Sequence, residues 1–166
     1  AEFMSANLTS EMSNIDRVVI LINECRKLKI EVDPPDVNVS GINFRPVNKK
    51  TISFGLNAIK NVGSKALEQI VNARENYGKF DSLFDFTANV SLKTVNRRVL
   101  ESLNMSGALD GLEGNRAQKH AAIETALQYG QTIQENKARN QVDLFGASST
   151  NGQNISMIPA LSQIEE

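Results

Sequence analysis

The sequence predicts a mainly α protein: a helical bundle with one small β-hairpin and a flexible C-terminal tail. Apolar residues recur at three- and four-residue spacing over most of the chain, which is typical of amphipathic helices. Between residues 34 and 55 the apolar residues alternate instead, with turn residues between them, as in paired strands. Polar residues and glycine dominate residues 146–156, and such a composition buries too little apolar surface to order itself.

The first predicted unit, residues 1–33, is helical. A helical pattern is already present at Ala1, so we expect the chain to be part of a longer protein. A second helix is predicted to begin after Ser13, whose side chain would cap it, with Asp16 near the positive end of the helix dipole. Its predicted buried face comprises Ile15, Val18, Val19, Ile22, Cys25 and Leu28. Cys25 is the single cysteine; we expect a buried thiol in a reducing, cytoplasmic setting.

The second predicted unit, residues 34–55, is extended. Pro34-Pro35 stops any preceding helix, because proline lacks the amide hydrogen that a helix interior uses. Turn signals stand at Ser40-Gly41 and at Val47-Asn48-Lys49-Lys50, and a further short strand is predicted at residues 30–32. The alternating apolar residues around these turns are Ile42, Phe44, Ile52 and Phe54. The pattern therefore predicts a small β-hairpin.

The helical pattern resumes at residue 56 and continues to about residue 134, with several glycine interruptions. We assign residues 56–130 to a second helical unit and residues 131–166 to the flexible tail.

Composition excludes most catalytic chemistry. Polymerases, nucleases and hydrolases need clustered carboxylates, histidines or cysteines. The acidic residues here are scattered, and the one histidine, His120, is expected on a helix surface or half-packed. No phosphate-binding glycine loop and no zinc-ligand spacing occur. No apolar run approaches the roughly 20 residues of a membrane span. We therefore expect no active site, metal, cofactor or membrane partner for this chain.

Positive charge is concentrated in the middle of the chain. The net charge is −1, but residues 34–79 hold seven basic and three acidic side chains. Such an excess is compatible with an ordinary solvated face as well as with an anion-binding surface.

A first candidate anion site lies between residues 54 and 70. A short helix with Leu56 and Ile59 leads into Asn61-Val62-Gly63, and a second helix begins at about Ser64. This segment resembles the helix-hairpin-helix motif. The expected DNA-binding residues are Lys60, Val62, Gly63, Ser64, Lys65 and Ala66.

The physical reasoning for this site has three parts. Gly63 is expected to supply the backbone angles of a tight hairpin and to leave room for a close approach. The amides of Val62 to Ala66 are expected to be unpaired and to point at an anion, which the helix dipole favours. Lys60 and Lys65 would flank a bound phosphate. An ordinary helical connection with a glycine cap is the alternative.

A second, looser copy of the motif follows. Ser91 is expected to cap a helix through Val95, Val99, Leu100 and Leu103, and a loop of glycines leads to a further helix. Gly114 and Asn115 would again offer free amides, with Arg116 and Lys119 in the first helical turn. Simple packing of the alanine-rich helix face is the alternative.

A third feature is the segment Gln141-Val142-Asp143-Leu144-Phe145 in the predicted tail. Two large apolar side chains and one amide in a polar tail are a common design for docking into a groove on a partner protein.

Several blocks of the sequence resemble one family over roughly residues 1–146. They are residues 1–4, 8–12, 24–26, 34–40, 54–63, 80–86 and 107–110, together with Asn115-Arg116. The chain is similar in these blocks to the bacterial DNA polymerase III alpha subunit, a family of DNA-directed DNA polymerases, which are nucleotidyltransferases.

The resemblance implies the end of the fingers region at residues 1–33 and tandem helix-hairpin-helix motifs at residues 56–130. In that family this region grips duplex DNA, and a following Gln-x-x-Leu-Phe-like segment binds the ring-shaped sliding clamp, the beta subunit. Gln141, Leu144 and Phe145 match that segment. The family's catalytic aspartates lie in its palm domain, which this chain lacks.

The expected function is therefore that of a non-catalytic fragment of a replicative polymerase. It would bind double-stranded DNA through backbone phosphates, tether the clamp, and meet other domains and subunits of the polymerase III holoenzyme. A structural scaffold that packs against other polymerase domains without touching DNA is the alternative.

Overall fold

The computed structural model describes residues 1–140 and 159–161 in full and residues 141–145 as helix backbone. Its helices are α1 (Glu2–Ser10), α2 (Ile15–Lys27), α3 (Ser64–Tyr77), α4 (Leu83–Asn89), α5 (Arg97–Ser106) and α6 (Arg116–Phe145), with a 3-10 helix at Leu56–Ala58. Its strands are β1 (Glu31–Val32), β2 (Arg45–Asn48) and β3 (Thr51–Ser53). The predicted mainly α fold with one small hairpin is confirmed.

Two hydrophobic cores organise these elements. The smaller core joins α1, α2 and the strands through Met4, Leu8, Val18, Cys25, Phe44, Ile52 and Ala58. The larger core packs α3 to α6 and the 3-10 helix, with Leu56, Leu67, Ile70, Phe84, Leu100 and Ile123 among its members. Phe54 contacts both cores and packs against Phe44 with ring centroids 4.8 Å apart and ring planes tilted by 57°, so it links the two cores.

The three strands form one small sheet in the order β1-β3-β2. β2 and β3 pair antiparallel as the predicted hairpin, and β1 pairs parallel to β3. Gly55 follows β3 where the chain passes the backbone of Phe44, so closely that a Cβ on Gly55 would lie 2.5 Å from the Phe44 nitrogen. This approach fixes how the sheet leads into the helices beyond it.

Helix α2 differs from its prediction in two respects. Its N-cap is Asn14, not Ser13: the Asn14 side chain accepts a hydrogen bond from the Arg17 amide. Val18 and Cys25 are buried as predicted, but other members of the expected face are exposed: Ile15 (55%), Val19 (51%) and Leu28 (58%). Among the described residues α2 packs mainly on α1 and β1, and these short elements leave part of its apolar face uncovered.

Helix α6 continues past residue 131, where we expected the tail to begin, and ends at Phe145. Contacts with α4 hold the first part of this extension in place. The Gln134 side-chain amide donates to the carbonyls of Thr87 (3.0 Å) and Val90 (2.8 Å), at the end of α4. A polar residue that the sequence pattern assigns to a tail is therefore a structural contact. The rest of the predicted tail, residues 146–158 and 162–166, lies outside the described residues.

Close approach of α6 to α4 depends on one glycine. A Cβ on Gly130 would lie 2.5 Å from the Thr87 carbonyl oxygen. The Thr87 hydroxyl, fully buried, donates to the Ala126 carbonyl at 2.7 Å. The two helices therefore pack almost backbone to backbone at this point.

None of the helices in the described part of the chain combines the length and apolar character that crossing a bilayer requires.

We predict that Gly130→Ala lowers the free energy of unfolding by about 1–2 kcal/mol. Moving α6 away from α4 to admit the methyl group costs about 1–3 kcal/mol. The higher helix propensity of alanine offsets up to about 1 kcal/mol of that cost. Urea denaturation followed by circular dichroism measures the difference. Gly41→Ala is the control, since a Cβ on Gly41 would make only ordinary contacts, the nearest at 3.5 Å from the Asn43 carbonyl oxygen. Unchanged or raised stability in Gly130→Ala would contradict the close-packing account.

Candidate nucleic-acid interface

The first hairpin connects the 3-10 helix Leu56–Ala58 to α3. Its flanking residues Val62 and Ala66 are buried in the larger core, at 5% and 3% exposure. Gly63, Ser64 and Lys65 between them are exposed. The buried side chains thus hold the loop so that its middle three residues face solvent.

Three adjacent amides at this loop have no acceptor in the part of the chain that the structure describes: those of Gly63, Ser64 and Lys65. The predicted set also included the amides of Val62 and Ala66, and for these two the prediction is wrong. The Val62 amide donates to the Ile59 carbonyl (3.3 Å) and the Ala66 amide to the Gly63 carbonyl (3.0 Å). These bonds close the tight turn and the first helical turn, which leaves free only the residues between them.

The hairpin takes its unusual backbone angle at Asn61 rather than at Gly63. Asn61 has φ +66°, a left-handed conformation that asparagine tolerates better than most residues. Gly63, with φ −76°, is in an ordinary extended conformation, so our prediction that it supplies the hairpin angles is wrong. The open space around Gly63 agrees with the other expected role, room for a close approach.

Three basic side chains belong to the first hairpin or contact it. Lys60 and Lys65 are both exposed, as predicted. A third cation, Arg98 on α5, donates from Nη2 to the Asn61 side-chain oxygen at 3.0 Å. Sequence reasoning missed Arg98, which is 37 residues away in the chain and carries no local signal of its position.

Helix α3 is fixed in place behind the hairpin by Arg74. Its guanidinium donates to the carbonyls of Val37 (2.8 Å) and Ser40 (3.1 Å) in the extended segment. Partial burial lowers the pKa of Arg74, and the nearby positive charge of Arg45 adds to this effect. The free amides of the first hairpin therefore belong to a helix that is tied to its surroundings at both ends.

The second hairpin, residues 107–115, has a different arrangement. Helix α5 before it is capped by Asn96 rather than by Ser91. The Asn115 amide donates to the Gln118 side chain (2.9 Å), and the Gln118 amide donates back to the Asn115 side chain (2.8 Å). This reciprocal cap occupies the Asn115 amide, one of the two amides that we predicted to be free. Leu161 approaches Gly114 so closely that a Cβ on Gly114 would clash with it, although Gly114 itself is exposed.

Arg116 forms an ion pair with Asp110 inside the second hairpin, with Nε 2.8 Å from Oδ1. The hydrogen bond from Arg116 lowers the pKa of the Asp110 carboxyl. The predicted phosphate-binding guanidinium is thus already neutralised by the protein.

Lys119, which we predicted in the first turn of the helix beside free amides, is buried at 1% exposure. Its Nζ donates to the carbonyls of Leu109 (2.9 Å), Leu112 (3.1 Å) and Gly114 (2.6 Å). Three backbone oxygens of the loop therefore converge on one internal ammonium group. The second hairpin is held from inside by this lysine.

The remaining predicted residues contribute no further site. His120 is exposed, and no cluster of metal-ligating side chains occurs among the described residues. Cys25 is a buried thiol, as expected, and burial raises its pKa. Gln141, Leu144 and Phe145 lie in the last turns of α6, and their side chains fall outside the described residues.

Comparison with known proteins agrees with this geometry. A family model described as helix-hairpin-helix motif matches residues 29–119. The chain is 43% identical to DNA polymerase III subunit alpha of Haemophilus influenzae, and 40% identical to those of Vibrio cholerae and Escherichia coli K12. Each match covers 88% of this chain and 13% of the relative, so the chain spans about an eighth of their length. The predicted resemblance and the helix-hairpin-helix fold are confirmed.

We predict that Lys119→Met lowers the free energy of unfolding by about 3 kcal/mol, since each buried carbonyl left without a donor costs about 1–3 kcal/mol before relaxation. Chemical denaturation of wild type and variant measures this. Lys65→Met, at an exposed position, serves as the control and should change stability by less than about 0.5 kcal/mol. Equal stabilities for the two variants would show that the ammonium does not hold the loop.

Proposed function

Because the chain belongs to the helix-hairpin-helix family, we propose that it binds duplex DNA through backbone phosphates and without preference for base sequence. The observation that carries this proposal is the row of exposed, unpaired amides of Gly63, Ser64 and Lys65 at the start of α3. A helix of 14 residues presents the positive end of its dipole there. Amides and dipole together suit a phosphate oxygen.

Flanking cations strengthen the proposed site. Lys60, Lys65 and Arg98 would neutralise phosphates and release counterions, which is the main source of non-specific affinity for DNA. Contacts of this kind position the protein on the sugar-phosphate strand and carry no base readout. The second hairpin is left out of the proposal because its amide and its guanidinium already have partners within the protein.

We place this activity within a larger bacterial replicative polymerase in the cytoplasm, in the role of a non-catalytic segment. Its similarity to several proteins named DNA polymerase III subunit alpha supports this assignment. The segment Gln141, Leu144 and Phe145 would dock in the sliding clamp. DNA and clamp contacts on one chain would reinforce each other by raising the effective concentration of each partner.

A scaffold function is the second candidate. Exposed apolar side chains on α1 and α2, including Phe3 (75%), Ile15 and Val19, favour contact with another protein surface. Other domains of a longer polymerase, or its holoenzyme partners, would supply that surface. The two functions differ in whether the first hairpin touches DNA.

We expect the affinity for unrelated duplexes to be equal and to fall with salt, with a log-log slope of about −0.9 for each phosphate contacted. The double change Lys60→Glu and Lys65→Glu is expected to lower affinity at least about tenfold and to flatten that slope, because two phosphate contacts become repulsive. Fluorescence anisotropy with labelled duplexes over a salt series measures both quantities.

Lys49→Glu with Lys50→Glu is the matched control, since it makes the same change of charge on the turn between β2 and β3. This control should change affinity by less than about threefold. A salt-independent affinity, a strong preference for one sequence, or equal losses in the two double variants would exclude the hairpin as the DNA contact and would favour the scaffold.

Replacement of both Leu144 and Phe145 by alanine is expected to abolish binding to the sliding clamp, because these side chains are the apolar anchors of the proposed peptide. Duplex affinity should stay within about twofold of wild type. Surface plasmon resonance with immobilised clamp measures the first effect and anisotropy the second. The single change Asp143→Asn, between the anchors, is the control. Clamp affinity that survives the double replacement rules out this peptide.

A further inference from the structure

An apolar groove of about 450 Å³ lies beside the first hairpin. The start of α2, the hairpin and the end of α5 form its walls. Its apolar lining consists of Ile15, Pro35, Phe54, Ala58, Ile59 and Met105. Among the described residues no acidic side chain lines it. A groove of this size with apolar walls and a few polar groups is typical of a site for a small organic group.

Two of the apolar side chains that line the groove are exposed to solvent. Met105 is 75% exposed and Ile15 is 55% exposed, although both have apolar neighbours across the groove. An occupant that covered them would remove apolar surface from water and be held by that gain.

The rim of the groove is continuous with the proposed phosphate site. Lys60 and Asn61 line the groove, and Asn61 precedes Gly63 by two residues, a span of at most about 7 Å. On α5, Arg98, Ser102 and Met105 follow one another at four- and three-residue spacing and so share one helix face. That face leads from the cation that contacts Asn61 into the apolar part of the groove.

Resting on the function proposed above, we propose that this groove binds an unpaired nucleobase of a DNA strand whose phosphate lies at the amides of Gly63 to Lys65. A nucleotide carries an anionic phosphate and, attached to the same sugar, a flat base whose faces are apolar. The site has the same division: cations and free amides at one end, and the apolar surfaces of Phe54, Met105 and Pro35 at the other.

Recognition in the groove is by stacking and not by sequence. Stacking on apolar and aromatic side chains accepts every base, because every base has a π-face. The hydroxyls of Ser102 and Ser106 and the amide of Asn61 add polar partners that suit base edges of several patterns. The chain therefore prefers duplex ends with a single-stranded extension, or frayed ends, over blunt duplex.

The test compares three ligands by fluorescence anisotropy with the 166-residue chain: a blunt duplex, the same duplex with a single-stranded extension, and that duplex with an extension of abasic nucleotides. The extension with bases is expected to bind at least about fivefold more tightly than the other two, since a stacked base adds to the affinity whatever its identity. The abasic ligand matches it in phosphate charge and so isolates the base.

Met105→Ala is expected to reduce that preference below about twofold and to leave blunt-duplex affinity unchanged. Leu28→Ala is the control, because Leu28 is similarly exposed on α2 and does not line the groove. It should retain the full preference. Thermal unfolding should be the same for both variants, which separates loss of the site from loss of the fold.

Four outcomes would overturn all or part of the inference. Equal affinity for the extension with bases and the abasic extension would show that no base is bound. A preference that Met105→Ala does not change would place the base elsewhere and leave the groove to a protein partner. Absence of salt-dependent binding to every ligand would remove the proposed phosphate site together with the groove. Blunt-duplex binding that persists without the base-dependent gain would overturn the groove alone.

Discussion

Burial of Val62 and Ala66 on either side of three exposed residues is the constraint on which the candidate site depends. Both side chains lie in the larger core, so the three residues between them project into solvent. Their amides are paired within the protein, and those of Gly63, Ser64 and Lys65 are not. Hydrophobic packing thus decides which backbone groups meet solvent, and the helix dipole decides what charge suits them.

The two hairpins show how one motif can serve opposite purposes. In the first, lysines stand outside the loop and the amides are open. In the second, the lysine is inside: Lys119 binds three loop carbonyls, and Asp110 neutralises Arg116. A buried ammonium must be fully hydrogen-bonded to be tolerated. Because the Lys119 ammonium donates to the loop carbonyls, it holds the loop from inside and cannot also contact a phosphate. Similar spacing of glycines and cations therefore does not imply similar binding.

The candidate interface is distinguished from the rest of the surface by where its positive charges lie and not by the net charge of the chain. The chain carries a net charge of −1 and would repel DNA weakly as a whole. Lys60, Lys65 and Arg98 come together only because α5 packs beside the hairpin. At physiological ionic strength, charges more than about 8 Å away are largely screened, so this local grouping outweighs the sum.

Sequence alone determined the features that depend on neighbouring residues. The order of helices, the β-hairpin and the glycine-containing loop at residues 61–65 follow from local spacing, because helix and strand periodicity express which side of one element is apolar. Cys25 was correctly placed in the core for the same reason, although α2 buries less of its face than predicted, since only tertiary packing sets how much of a helix is covered. Tertiary structure also decided that Arg98 joins the first hairpin, that Lys119 turns inward, and that Gln134 extends α6 by binding the end of α4. Each of these contacts joins groups that come close only when the helices and loops pack together. Such contacts produce no periodic pattern of residues, so the sequence does not reveal them.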